Sequence, residues 1–240
     1  MKYAIFGDIH ANLEALEAVL ADAKTKGCDH FACIGDLVGY NANPTECLNR
    51  IRDLDCPVVK GNHDEEASID TDITGLNPLA QAALEWTRNH ISDADKKWLR
   101  ELRMVRQVRD FTIVHATLDS PTSWAYVMNK FDAMASFSYQ FTQLCFFGHT
   151  HTPRIYTKAG RVDSVEPTTI PIHEGTKYFV NVGSVGQPRD GDPRPAYCTF
   201  DIENGEIAIH RIEYDRATTQ RKIIDAGLPP MLAERLNHGK

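Results

Sequence analysis

Residues 2–10 read KYAIFGDIH, 30–36 read HFACIGD, 57–64 read PVVKGNHD and 144–151 read LCFFGHTH. Each is a short run of apolar and aromatic residues that ends at a glycine, followed at once by a carboxylate, an amide or an imidazole. Runs of this length and type, bounded by such punctuation, predict β-strands with polar side chains at their C-terminal ends. Between the first two lies a helical pattern. Asn12 offers a cap, and Leu13, Leu16, Val19 and Leu20 fall on one face before Gly27. Between the second and third, Pro44 opens a helix to about Leu54 with Cys47, Leu48 and Ile51 facing inward. The order is therefore strand (2–6), helix, strand (30–34), helix, strand (57–60), which predicts an α/β sheet with crossover helices. If the strands are parallel neighbours, Gly7-Asp8, Gly35-Asp36 and Gly61-Asn62 emerge on one sheet edge, where α/β proteins place their chemistry.

Outward from this core, residues 64–101 form a helical section. Its acidic opening, DEEASIDTD, reads as a solvated surface loop; Leu79, Ala82, Ala83 and Trp86 make an apolar stripe, and Ser92 caps Asp93–Leu102. Residues 104–108 and 111–115 flank the turn candidate Arg109-Asp110, and 130–141 read as helix. Short alternating segments at 154–157, 169–172, 177–182, 196–202 and 206–212 read as a mostly antiparallel second sheet, with Glu203-Asn204-Gly205 as a turn. A last helix at about 216–226 stops at Gly227 and the two prolines that follow. No linker or low-complexity run interrupts the chain, so one domain over 1–240 is the simplest organisation.

Composition narrows the function. The 240 residues include 26 basic and 33 acidic side chains, a formal charge of -7, with no Lys/Arg-rich stripe. That argues against a long nucleic-acid partner held by its phosphates, but not against a small anionic substrate met by bound metal. No apolar stretch is long enough to span a membrane, and the apolar run before Gly7 is too short for a secretory signal. The six cysteines form no CxxC pair and fall mostly in or beside predicted strands, which points to reduced thiols in a cytoplasmic protein.

Collected from the strand ends, Asp8, His10, Asp36, Asn62, His63, His115, His149 and His151 form a mixed nitrogen and oxygen set without thiolate. Such donors suit Mn, Fe, Zn, Co or Ni better than copper(I), an iron–sulfur cluster or an all-oxygen calcium cage. The number of donors fits two ions. Asp8, His10, Asp36 and His151 serve one, and Asp36, Asn62, His115 and His149 the other, with Asp36 bridging through its two oxygens. Extended backbone at Asp8-Ile9-His10 and at His149-Thr150-His151 would put each pair of side chains on one side. The preceding glycines let the chain leave its strand sharply and approach the ions.

GDIH (7–10), GDLVGY (35–40), GNHD (61–64), the isolated His115 and GHTH (148–151) together resemble the signature of the calcineurin-like metallophosphoesterases, in that family's order. The chain is most similar to the small bacterial and archaeal phosphodiesterase-like branch, and NVGSVGQPR (181–189) extends the likeness. It departs from the common pattern at His115-Ala116-Thr117, in place of HG, and at Tyr40-Asn41-Ala42-Asn43-Pro44, in place of YGP. The resemblance implies a four-layer αββα sandwich of two mixed β-sheets flanked by helices. It also implies the same ligand set, with His63 as the catalytic histidine that is not a ligand. The expected cofactors are two divalent or mixed-valence transition metal ions, Mn or Fe before the others. The expected function is hydrolysis of a small phosphodiester or nucleotide by attack of a metal-bound hydroxide. The alternatives are a dinucleoside polyphosphate hydrolase and a catalytically silent scaffold of the same fold. Tyr40 and Asn41 are candidates to touch the leaving group, and Arg189 to grip a phosphate unless it pairs with Asp190 or Asp192. Trp124 and Tyr126, soon after His115, are candidates for an active-site wall; Asn181 and Ser184 either line the rim or brace its loops.

Overall fold

Successive side chains of a strand point to opposite faces, and β1 (Lys2–Phe6) shows what that does here. Ala4 and Phe6 turn toward α1 (Leu13–Thr25) and α2 (Pro44–Asp53), where they join Leu16, Val19, Leu20, Leu48 and Ile51. Tyr3 and Ile5 turn the other way, into a cluster with Ile34, Phe111, Ile113, Phe146 and Val180. The computed structural model describes all residues, 1–240.

The chain continues through β2 (His30–Cys33), α3 (Asn62–Ser68), α4 (Pro78–His90), α5 (Asp93–Glu101), β3 (Val105–Val108) and β4 (Phe111–Val114). Then come α6 (Lys130–Tyr139), β5 (Leu144–Phe147), β6 (Arg154–Ala159), β7 (Arg161–Val165), β8 (Ile170–Pro171) and β9 (Lys177–Asn181). The chain closes with β10 (Ala196–Asp201), β11 (Glu206–Arg211), α7 (Arg216–Asp225) and α8 (Pro230–Glu234). One sheet has the order β2-β1-β10-β11-β8 and the other β3-β4-β5-β9-β6-β7. Both are mixed: β1 pairs with β2, and β5 with β4 and β9, in parallel, while the remaining pairs are antiparallel.

The sheets face each other over the cluster around Ile5 and Phe146. On the outer face of the second sheet, Val114, Cys145, Phe147, Tyr156 and Phe179 pack beneath Phe137 of α6. The rings of Phe147 and Phe179 stack with centroids 3.9 Å apart. Helix, sheet, sheet, helix is the four-layer αββα sandwich. Its register is strongly specified. A one-residue slip of β5 would exchange its faces, taking Phe146 out of the cluster between the sheets and Phe147 off its stack on Phe179.

Several expectations need correction. Residues 57–60 do not form a full strand; Val58 bridges Cys33 and Val59 bridges Arg103, one pair each. Pro57 has no N–H to give, and the segment turns from β2 to Arg103 after one exchange. The later strands do not make a second sheet of their own. β10 pairs with β1 (Ile5 opposite Cys198) and carries β11 with it, whereas β6, β7 and β9 extend the sheet of β4 and β5. Only the second half of the acidic stretch is a solvated loop: Asp64, Ala67 and Ser68 are buried in α3, whereas residues 70–72 lie beyond it and are exposed. Nor does the chain end its helices at Pro229-Pro230; Pro230 starts α8, where a missing N–H costs nothing.

Candidate metal centre

β1 runs out into Asp8, β2 into Asp36, β4 into His115 and β5 into His149, while α3 begins with Asn62 and His63. The backbone at these exits is not extended, contrary to expectation. Asp8, His10, Asp36, His149 and His151 all have positive φ, at 47°, 48°, 51°, 66° and 59°. Left-handed backbone costs a residue with a Cβ on the order of 1 kcal/mol, so the surroundings must impose it. They do so through hydrogen bonds. Asp8, His10 and Ala11 donate their N–H groups to the carbonyls of Gly35, Asp36 and Leu37, each at 2.9 Å. The Asp8 carbonyl accepts from Ser184 Oγ and from Gly186 N, and Asn181 Nδ2 donates to the Gly148 carbonyl and to Thr150 Oγ1. Asn181 and Ser184 are thus fully buried braces rather than rim residues.

Gly35, at φ 91°, bends the chain as expected, but Gly61 and Gly148 do a different job. A Cβ at Gly61 would overlap Asp36 Oδ1, and one at Gly148 would overlap Asp8 Oδ2. These two make room for the carboxylates, while Asp8, His10, Asp36, His149 and His151 share the bend with Gly35.

The donor atoms converge in two groups. Asp8, His10, Asp36 and His151 place one each within 4.8 Å of one another, and Asp36, His115 and His149 do the same. Asn62 Oδ1 lies 3.3 Å from His115 Nε2, beside the second group. Asp36 belongs to both, through one oxygen rather than the two expected. Its Oδ1 accepts from the His63 main-chain N–H at 2.8 Å, leaving Oδ2 to lie 3.5 Å from His10 Nε2 and 3.4 Å from His115 Nε2.

Three features fit these groups to cations. Asp8 Oδ1 and Asp36 Oδ2 are buried with no hydrogen-bond partner, an arrangement that costs several kcal/mol unless something positive meets them. The outer ring nitrogens face main-chain carbonyls: His10 Nδ1 faces Val38, His115 Nδ1 Ile34, His151 Nδ1 Gln187 and His149 Nε2 Trp124, at 2.6–3.0 Å. Each carbonyl accepts a hydrogen bond from that ring N–H, which fixes the tautomer and turns the other nitrogen inward. His10 Nε2 and His151 Nε2 then stand 3.1 Å apart. Burial holds both rings well below the usual histidine range, so two lone pairs face each other until a cation comes between. Burial also lowers His149, to about 4. In His115 burial is outweighed by Asp36 and Asp8, which raise it to about 9: here a proton takes the place a cation would have. Against burial, His115 and its neighbours hold Asp36 ionised, well below the usual carboxylate range. Imidazole, carboxylate and amide donors without thiolate suit a divalent transition metal.

Sequence reasoning passed over Asp64. Its Oδ2 accepts from the N–H groups of Asp36 (2.8 Å) and Gly61 (2.9 Å), and its Oδ1 from that of Leu37 (2.8 Å). One buried carboxylate thereby ties the Asp36 loop to the start of α3. The available signal was its place three residues after Gly61, where a capping-box acid reaches back to the helix start.

His63 lies outside both groups, with its ring centroid 4.7 Å from that of His10 and 4.5 Å from that of Tyr40. Its Nδ1 is enclosed against Gly39, where a Cβ would overlap it, so Nε2 is the nitrogen left to meet a ligand. Burial lowers its pKa and keeps the ring neutral. Tyr40 forms the adjoining wall; Asn41 is 1% exposed and donates its amide to the His10 carbonyl, so it positions His10, and its Oδ1 is left without a partner. Arg189 pairs with neither neighbouring aspartate; its guanidinium donates to Gln187 Oε1 and lies over the Tyr40 ring. Trp124 contributes its carbonyl to His149, and Tyr126 stacks on the His149 ring at 4.3 Å.

Known proteins are similar to this chain over nearly its whole length. A metallophosphoesterase from Sphaerobacter thermophilus is 36% identical, with a TM-score of 0.89 over 100% of this chain and 99% of that one. The hypothetical protein PH1004 from Pyrococcus horikoshii OT3, 17% identical, shares the fold at a TM-score of 0.79 over 100% of this chain and 98% of its own. The uncharacterized protein MJ0912 of Methanocaldococcus jannaschii is 37% identical over 241 residues, which cover 99% of this chain and 98% of that protein. The model of the calcineurin-like phosphoesterase superfamily domain matches residues 1–205, a span that holds every donor described above, and the chain belongs to that superfamily.

Proposed function

We propose that the protein is a dinuclear metal-dependent phosphoesterase acting on a small phosphodiester or nucleotide. The observation that carries this reading is Asp36 Oδ2, a buried and unpartnered oxygen common to both donor groups. Asp8, His10, Asp36 and His151 would hold one ion, and Asp36, Asn62, His115 and His149 the other. When bound, such ions act as Lewis acids on phosphoryl oxygens and activate water for in-line attack on phosphorus. The chain sets the charge balance: only two of the seven donors are anionic, so two divalent ions keep a net positive charge toward an anionic ester. Ser184, Asn181 and Asp64 hold the donor loops rigid, so little reorganisation accompanies binding. His63 presents Nε2 beside the metal groups: neutral, it can donate a hydrogen bond to a phosphoryl oxygen, and only once protonated, as an anionic substrate beside it favours, can it give a proton to the leaving oxygen.

Mn or Fe is the favoured metal in this reading. A cytoplasmic setting is supported by six free cysteines, five of them buried. The net charge of -7 supports a small substrate over a long nucleic acid. The test is protein reconstituted with each metal in turn and assayed against cyclic nucleotides, linear diesters, monoesters and dinucleoside polyphosphates. Metal-dependent release of phosphate or alcohol from at least one class is expected. Inactivity against all of them with both ions bound would overturn the proposal.

A further inference from the structure

A cavity of about 510 Å³ adjoins the metal centre, lined among others by Tyr40, Tyr126, Arg189, Arg235, His238 and Lys240. Two of its walls pack on the site itself: Tyr40 lies against His63 and His10, and Tyr126 on His149. Whatever occupies the cavity is therefore next to a substrate at the ions. Its charge is opposite to that of the molecule. Three cationic side chains and a single side-chain carboxylate, that of Glu234, line it, within a chain of net charge -7.

The two arginines are the unusual feature. Arg189 comes from the loop after β9, and Arg235 from the turn of 3-10 helix after α8, some distance away in sequence. Their guanidinium carbons lie 5.6 and 5.9 Å from the centre of one ring, that of Tyr40. Arg189 meets no carboxylate and donates to an amide oxygen of Gln187, while Arg235 Nε donates to the main-chain oxygen of Lys240, the last residue. Their neighbours are paired, Arg194 with Asp192 and Arg211 with Asp190, so acids are at hand in the same region and Arg189 is left without one. Two cations brought to one ring repel each other, and an anion between or beside them removes that cost. The planar donor fork of each suits the oxygens of phosphate, and two forks suit a dianion better than a single carboxylate.

We propose that Arg189 and Arg235, across Tyr40, form a second anion subsite for a substrate carrying a second phosphate beyond the one hydrolysed. The substrate class is then a phosphoanhydride or a bisphosphate rather than a simple diester. This rests on the phosphoesterase reading of the metal centre and deepens it.

The experiment measures binding of imidodiphosphate and of orthophosphate to the manganese-loaded protein by calorimetry. Hydrolysis of bis(p-nitrophenyl) phosphate is followed in the same preparation. Wild-type protein should prefer imidodiphosphate, and Arg235→Gln and Arg189→Gln should each reduce that preference on the order of tenfold, the worth of one charge-assisted hydrogen bond. Arg235→Lys should keep most of it. A preference unchanged in both glutamine variants overturns the subsite. Should Arg235→Gln fail to fold, Arg189→Gln, in a different loop, decides alone. No hydrolysis of the diester by fully loaded protein tells instead against the phosphoesterase reading, and leaves the subsite to be judged on the binding ratio.

Discussion

Burial and the neighbouring Asp36 push the Asp64 carboxyl up to about 7, so above that pH replacing Asp64 by Asn removes a charge from a buried oxygen pair that serves three main-chain donors, with N···O distances of 2.8, 2.8 and 2.9 Å. Asparagine keeps one oxygen. Turned toward Asp36 N and Gly61 N, it leaves its own NH₂ facing the Leu37 N–H, donor against donor. The unpaired buried donor costs about 1–3 kcal/mol, and the two surviving bonds each lose about 1 kcal/mol as they pass from charge-assisted to neutral. The total is roughly 3–5 kcal/mol. At about 2–4 °C per kcal/mol for a chain of this size, Tm should fall by about 10 °C. The same substitution frees the loop that aims Asp36, so both ions should bind more weakly together. Calorimetric melting of metal-free protein measures the first effect, and metal titration of the folded variant the second. A variant that melts within about 2 °C of wild type and binds two ions at unchanged affinity would refute the anchoring role.

Asp36→Asn should weaken occupancy of both positions at once, by at least the ~10–100-fold that loss of an outer partner alone costs; metal analysis after dialysis checks it, and full two-ion occupancy would count against a shared oxygen. His63→Ala should retain both ions yet lose about 10²–10⁴-fold in kcat, most for poor leaving groups; a leaving-group series reads this, and an even loss across it would remove the proton-donor role. His210, far from the ions, is lowered to about 4 by burial and the nearby Lys26, with its Nε2 beside Thr199 Oγ1 at 2.9 Å. Between the unfolded value near 6.5 and that value the unfolded chain binds the extra proton, so stability should fall as pH drops through this window. His210→Gln should flatten that part of a pH-dependent denaturation curve.

The donor list was legible because each donor is a polar residue placed directly after an apolar run, and chain order alone separates strand from exit. What the exits do was not. An extended Asp8-Ile9-His10 is the default for a strand end, and only contacts from Gly35, Asp36, Leu37, Ser184 and Gly186, distant in sequence, turn it left-handed. The single free oxygen of Asp36 depends on the His63 main chain, which composition does not report. Asp64 was lost in an average: among acidic neighbours it reads as surface, although it is enclosed by the elements it joins. The division of the later strands between sheets was equally hidden, since alternation fixes the face of a strand but not its neighbour. Ile5 opposite Cys198 is a long-range pairing, and both sheets offered β10 an apolar face.

Five of the donor-bearing residues occupy backbone that glycine would occupy more comfortably. Directed evolution for heat resistance alone would therefore reward glycine at these codons, trading imidazole and carboxylate for conformational ease, and could deliver a sturdier protein emptied of its chemistry. Any library built on this scaffold needs a metal-retention screen alongside the melting curve.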